Sequence, residues 1–163
     1  MKRWNVGVLT VSDKGARGER IDRSGEEIRR MIPQMDGEVV VSEIVPDDWL
    51  TIRRQLIYFA DEIKVDLIVT TGGTGFAPRD VTPEATRSVL EKEVPGLSEA
   101  MRGSSLQKTR YALLSRAVTG IRGTTLIINL PGSPKAVREC LEAIWDVLPH
   151  GLEVLTGEVG DHD

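Results

Sequence analysis

The chain has a single cysteine, Cys140, and two histidines, His150 and His162, among 163 residues. One cysteine excludes an intrachain disulfide and fits a reducing compartment. Two histidines without a ligand partner at metal spacing argue against a zinc site or a histidine-based triad. Excess positive charge is lacking too. Lys and Arg number 21 against 25 Asp and Glu, a net charge of −4, so no overall basic field attracts nucleic acid or anionic lipid. An anionic substrate would have to be met by local donors or a metal ion. No apolar run approaches the roughly 20 residues of a membrane helix. The run at 6–11 is too short for a signal-peptide core and leads straight into Ser12-Asp13. The expectation is one cytoplasmic domain over residues 1–163, with neither nucleic acid nor membrane as a partner.

Short apolar runs alternate with helical periods. Strands are expected at 6–11, 39–45 and 67–70, the last fully apolar as central parallel strands tend to be. Helical spacing follows the first two, in Ile28, Met31 and Ile32, then in Ile52, Leu56, Phe59, Ala60 and Ile63. Ser24 and Glu27 have capping-box spacing, and Thr82-Pro83 reads as an N-cap followed by proline at the first helical position. A helix is expected at 97–106 after the Pro95-Gly96 break. Residues 117–121 and 124–130 read as a hairpin turning at Arg122-Gly123. Ser133-Pro134 opens a last helix with Val137, Cys140, Leu141, Ile144, Val147 and Leu148 on its apolar face, before an acidic, fraying tail beyond Leu155. The pattern predicts an α/β fold: three layers, α/β/α, around a mostly parallel sheet with one antiparallel strand.

Ligands of open α/β sheets bind beyond the carboxyl ends of the strands. Four polar or glycine-rich segments fall there: Ser12-Asp13, Pro46-Asp47-Asp48, the loop from Thr71 to Asp80, and Pro131-Gly132-Ser133-Pro134-Lys135. Gly72, Gly73 and Gly75 allow backbone angles closed to other residues. Their N–H groups could cradle phosphate, with Thr71 and Thr74 adding hydroxyls. The loop is not a Walker motif, since no Gly-Lys-Ser/Thr follows, and Pro78 stands where a dinucleotide fingerprint has its third glycine. A plain strand-to-helix turn is the competing reading, against which Arg79 and Asp80 beside the glycines argue. Asp47, Asp48 and Asp80 each follow a strand, and Mg²⁺ commonly takes one or two protein carboxylates plus water and phosphate. Asp48 suits a helix cap, which favours Asp47 for the site, although residue chemistry leaves the two open. Lys135 in a first helical turn opposes the helix dipole, as an anionic ligand there would explain. Ser104-Ser105, in a loosely basic stretch, could reach a phosphate. Cys140 reads as core, and Trp49 and Trp145 as packing residues.

Five ordered motifs carry a resemblance: TTGGTG (70–75), RDVTPEAT (79–86), PGLSEAMR (95–102), LSRA (114–117) and NLPGSPK (129–135). Together they resemble the MogA/MoaB family of molybdenum-cofactor biosynthesis, which includes the gephyrin G domain. The likeness runs from about Asn5 to about Leu155. It implies adenylylation of molybdopterin by ATP with Mg²⁺, giving adenylyl-molybdopterin and pyrophosphate. It implies Asp47 and Asp80 as the catalytic, metal-holding pair. Ser12, Asp13, Thr71, Gly72, Gly73, Thr74, Gly75, Arg79, Ser104, Ser105, Ser115, Pro131, Gly132, Ser133 and Lys135 fall in its substrate-binding segments. It further implies a homotrimer and a downstream molybdate-inserting protein. The alternative is a molybdopterin carrier without catalysis.

Overall fold

A computed structural model describes residues 3–158; His162 and the last tail residues lie outside them. One six-stranded sheet runs β2-β1-β3-β6-β5-β4. Its parallel part is β1 (Trp4–Val11), β2 (Gly37–Val45), β3 (Leu67–Thr71) and β6 (Thr125–Leu130). β5 (Thr119–Arg122) is antiparallel to both β6 and the two-residue β4 (Lys92–Glu93). The one antiparallel strand expected from the hairpin is β5; β4, too short to carry a period, was not legible in the sequence.

Side chains alternate between the two faces of each strand. Val6, Val8, Leu67, Val69, Leu126 and Ile128 face one core with Ile28 and Met31 of α2 (Arg23–Met31), which follows the short α1 (Asp13–Ala16). Met101 of α5 (Pro95–Leu106), Val137 and Leu141 of α6 (Pro134–Ile144), and Leu148 and Leu152 of α7 (Leu148–Thr156) complete it. Leu9, Val11, Ile68 and Ile127 face the other, with Ile52 and Leu56 of α3 (Trp49–Ile57), Phe59, and Ala85 of α4 (Thr82–Arg87). Helices therefore cover both faces, the three-layer arrangement expected. Cys140 lies in the first core at 6 % exposure, as read from the sequence, and burial pushes its thiol pKa up.

Five local expectations are corrected. The cap of α2 is Asp22, whose carboxylate accepts from the Gly25 N–H at 2.9 Å, while Ser24 lies inside the helix and Glu27 pairs with Arg30 and Arg138. Thr82 does not cap α4: it is the first helical residue, and its hydroxyl donates to Gly72 O at 2.9 Å. Val147 leaves the apolar stripe, half exposed, because α6 stops at Ile144 and α7 begins with Pro149 in its first turn. Trp49 is 41 % exposed, with the Arg53 guanidinium over its ring, rather than packed in the core. Past Leu155 the chain stays helical to Thr156 and ends on left-handed Gly157.

Candidate functional site

Strand order reverses beside β1, which has β2 on one side and β3 on the other, and a crevice opens at such a switch point. Register brings the four polar segments to one edge. Thr10 pairs with Thr71, Val11 with Val45, and Thr71 with Leu130, the last residues of their strands or next to them. Thr71 Oγ1 then donates to Pro131 O at 2.6 Å, tying the glycine loop to the segment after β6.

The glycine loop is shaped by two left-handed residues. Gly72 has φ +97° and Gly73 φ +70°. A Cβ on Gly72 would collide with Val11 O, and one on Gly73 with Thr82 Oγ1 while lying 3.1 Å from Asp47 Oδ1. Gly75 keeps an ordinary φ, so the expectation of three conformationally special glycines holds for two. Its N–H, with that of Ala77, donates at 3.1 Å to Asp80 Oδ2. The Gly72 N–H goes to Leu130 O, whereas those of Gly73 and Thr74 have no acceptor among the described residues.

Asp48 caps α3 through the Thr51 N–H at 2.9 Å, leaving Asp47 for the site. Asp47 and Asp13 hold each other reciprocally. Asp13 N–H donates to Asp47 Oδ2 at 3.0 Å, and Asp47 N–H to Asp13 Oδ1 at 2.9 Å. Arg79 grips both Asp13 oxygens, at 2.7 and 3.0 Å. This guanidinium, with the Asp47 N–H, holds the Asp13 carboxyl down to about 2. Asp47 moves the opposite way: burial raises its pKa, and the charges of Asp13 and Asp80 add to the rise.

Asp47 and Asp80 line one cleft of about 720 Å³ with Ser12, Thr71, Gly72, Gly73 and Gly132. Thr74, Gly75, Ser105, Ser115 and Pro131 line a second cavity of about 300 Å³. The glycine loop is thus the wall between two cavities. Asp13, Arg79, Ser104, Ser133 and Lys135 line neither. Asp13 and Arg79 stand behind Asp47, Ser133 caps α6 through the Ala136 N–H, and Lys135 is exposed.

Two residues escaped sequence reasoning. Arg116 clamps the loop: its N–H donates to Thr74 O at 2.9 Å, Nε to Gly75 O and Nη2 to Asp80 O at 2.8 Å each, and Nη1 pairs with Glu84 at 2.6 Å. Fully buried Asn129 joins three elements. Its amide donates to Thr70 and Thr86 hydroxyls at 3.1 and 3.0 Å, and its oxygen accepts from the Val118 N–H at 3.2 Å. An asparagine inside the otherwise apolar run of β6 was the available signal, since a buried amide needs partners.

The donor set suits a hard cation. Asp47 Oδ1 and Asp80 Oδ1 accept no hydrogen bond among the described residues, while the second oxygen of each is engaged. No group of three or more His, Cys, Asp or Glu side chains among the described residues could hold a metal. A cation here would therefore take oxygens from substrate and water, as Mg²⁺ does.

Parallel α/β architecture, a switch-point cleft and a glycine loop flanked by two aspartates define a doubly wound domain with an anion-compatible site. A family model described as "Probable molybdopterin binding domain" matches residues 7–150, and the chain belongs to that family. It is 44 % identical over 159 residues to a molybdopterin adenylyltransferase of Helicobacter pylori, covering 96 % of this chain and 90 % of that protein. It is 46 % identical over 160 residues to the molybdenum cofactor synthesis protein cinnamon of Drosophila melanogaster, covering 98 % of this chain and 27 % of that longer protein. The crystal structure of the molybdopterin biosynthesis enzyme MoaB from Thermus thermophilus superposes with a TM-score of 0.90 at 56 % identity, over 94 % of this chain and 97 % of that one. The resemblance read from the five motifs is borne out. No helix among the described residues is long and apolar enough to cross a membrane.

Proposed function

We propose that the chain is a molybdopterin adenylyltransferase of molybdenum-cofactor biosynthesis. The observation that carries this reading is that Asp47 and Asp80 line one cleft, each with an unused carboxylate oxygen, beside unused N–H groups of Gly73 and Thr74. The two cavities on either side of one loop suit a transfer between two substrates. The larger, carboxylate-lined cleft takes the nucleotide phosphates. The smaller cavity, with the Ser105 and Ser115 hydroxyls among apolar groups, takes the flat pterin.

The terminal phosphate of molybdopterin forms a bond to the α-phosphorus of ATP as the bond to the β-phosphate oxygen breaks, and pyrophosphate leaves. A phosphate monoester is largely ionised near pH 7, so the nucleophile needs no general base. This suits a site without histidine. The barrier lies in bringing anions together, so fixed donors dominate catalysis. Gly73 and Thr74 N–H groups hold phosphate oxygens; Arg116 fixes the loop that carries them. Asp13, locked ionised by Arg79, orients Asp47 through its N–H. Asp47 and Asp80 would hold Mg²⁺, which would supply neutralisation of phosphate charge.

A homotrimer, a cytoplasmic location and hand-over to a molybdate-inserting protein belong to the same reading. Tyr111, Leu113 and Leu114, exposed at 80, 58 and 43 %, offer apolar surface for a second copy to cover. Incubating the protein with molybdopterin, ATP and Mg²⁺ should release pyrophosphate. Tight molybdopterin binding without pyrophosphate would establish a carrier instead.

A further inference from the structure

The large cleft is also lined by residues that the catalytic reading leaves unused: Arg20 just before α2, and Arg23 and Ser24 in its first turn. Their charges need explaining. Two other ionic groups of this lining are satisfied within the protein. Asp22 accepts from Gly25 N–H and from Thr10 Oγ1 at 2.9 Å each, with Arg29 at 3.7 Å; Glu19 pairs with Arg17 at 3.0 Å. Arg20 and Arg23 make no ion pair and no side-chain hydrogen bond among the described residues. Both would be better placed elsewhere if helix stability were the reason, because a cation at a helix N-terminus opposes the dipole.

Ser24 gives an independent indication. It is 92 % buried by its 8 % exposure, it lines the cleft, and its hydroxyl has no partner among the described residues. A hydroxyl at the cleft that no protein group engages is open to whatever occupies that cavity. Two unpaired guanidinium groups and one unpaired hydroxyl share one chemistry: together they donate to an anion carrying several oxygens. The same cleft is lined by Asp47, Asp80, Gly72 and Gly73. A ligand whose reacting phosphorus sits beside them has its remaining charge elsewhere in the cleft.

We infer that Arg20, Arg23 and Ser24 at the start of α2 form a second phosphate subsite of the cleft, which takes the β- and γ-phosphates of the nucleoside triphosphate. The inference rests on the adenylyl-transfer reading for its choice of ligand. The subsite separates ATP from AMP, and it holds the pyrophosphate product after the α-phosphoryl bond has broken. The phosphate of molybdopterin has the same chemistry and is the other source that a test must distinguish.

Binding is measured by calorimetry with four probes: inorganic tripolyphosphate, ATP and AMP, each with Mg²⁺, and molybdopterin. The proteins are wild type, the Arg20→Gln/Arg23→Gln double variant and Ser24→Ala. Both arginines are exposed, so the double variant should keep the wild-type melting temperature. It should bind ATP and tripolyphosphate about tenfold or more weakly, with AMP and molybdopterin within about twofold of wild type. Ser24→Ala should weaken ATP and tripolyphosphate alone, by a smaller factor. Unchanged ATP and tripolyphosphate affinity overturns the subsite. An equal loss for AMP assigns these residues to the nucleoside or α-phosphate, and a loss for molybdopterin alone assigns them to its phosphate; either overturns the inference. Wild-type protein that binds tripolyphosphate through these residues, yet releases no pyrophosphate from ATP and molybdopterin, sinks the transferase reading and leaves the subsite standing.

Discussion

Gly73→Ala should damage stability and activity together, and its cost can be worked from the contacts. Gly73 has φ +70°, where an L side chain costs roughly 1–2 kcal/mol. The new methyl also meets Thr82 Oγ1, the donor of the 2.9 Å bond to Gly72 O. Displacing that buried hydroxyl forfeits about 1 kcal/mol more. The sum is roughly 2–3 kcal/mol, which for a domain of this size lowers Tm by about 5–10 °C. The same methyl lies 3.1 Å from Asp47 Oδ1, the oxygen left open towards the cleft, so the carboxylate must shift by some tenths of an ångström. Misplacement on that scale should lower the pyrophosphate release rate by about tenfold or more. Gly103→Ala is the control: it lies within α5, and its Cβ would have nothing within 4 Å. That substitution should raise stability by about 0.5–1 kcal/mol and leave turnover unchanged. Paired thermal melts and pyrophosphate assays decide the matter. A Gly73→Ala protein that melts within about 1 °C of wild type would refute the claim that the loop's geometry demands glycine.

Three other substitutions or titrations probe the site. Arg116→Gln removes guanidinium bonds to Gly75 O and Asp80 O and the Glu84 pair, so kcat should fall about tenfold with KM for molybdopterin nearly unchanged, and Arg116→Lys should recover only part of it. Asp47→Asn keeps an acceptor for the Asp13 N–H while removing a charge that burial and two carboxylates disfavour. It should match or exceed wild-type Tm without metal, lose the stabilisation that Mg²⁺ gives wild type, and abolish turnover; equal Mg²⁺ stabilisation in both proteins would remove Asp47 from the metal site. The folded pKa of Asp13 lies below its ordinary value of 3.8, at about 2. Its contribution to stability is therefore present above the ordinary value and is lost as pH falls through about 2. The stability difference between wild type and Asp13→Asn should shrink across that acid window, and a difference constant with pH would deny the Asp13–Arg79 lock.

The layer architecture was readable because both sheet faces are apolar and each helix carries one strong stripe. Val6, Val8, Leu9 and Val11 all point into one core or the other, and α6 shows its period openly. The four-loop convergence was readable for the same reason: once strands are parallel, their carboxyl ends share an edge. What stayed hidden depends on partners distant in sequence. Thr82 looks like a cap locally, but its hydroxyl is claimed by Gly72 O. Ser24 has capping-box spacing, but Asp22 reaches the helix N-terminus first. The role of Arg116 arises from carbonyls 41 and 36 residues away in the chain. Residue types at the glycine loop indicate one anion site; the folded chain divides it, with residues 72–73 lining one cavity and 74–75 another.

The central claim, that Asp47 and Asp80 make this domain a transferase rather than a carrier, meets its most direct test in Asp80→Asn. The amide oxygen can still accept from the Gly75 and Ala77 N–H groups, so the loop should keep its shape. Single-turnover mixing with molybdopterin, Mg²⁺ and ATP labelled at the α-phosphate should transfer label to molybdopterin in wild type. In Asp80→Asn, transfer should fall by about a hundredfold or more, with molybdopterin affinity within about threefold of wild type. Label transfer at the wild-type rate in that variant would contradict the account.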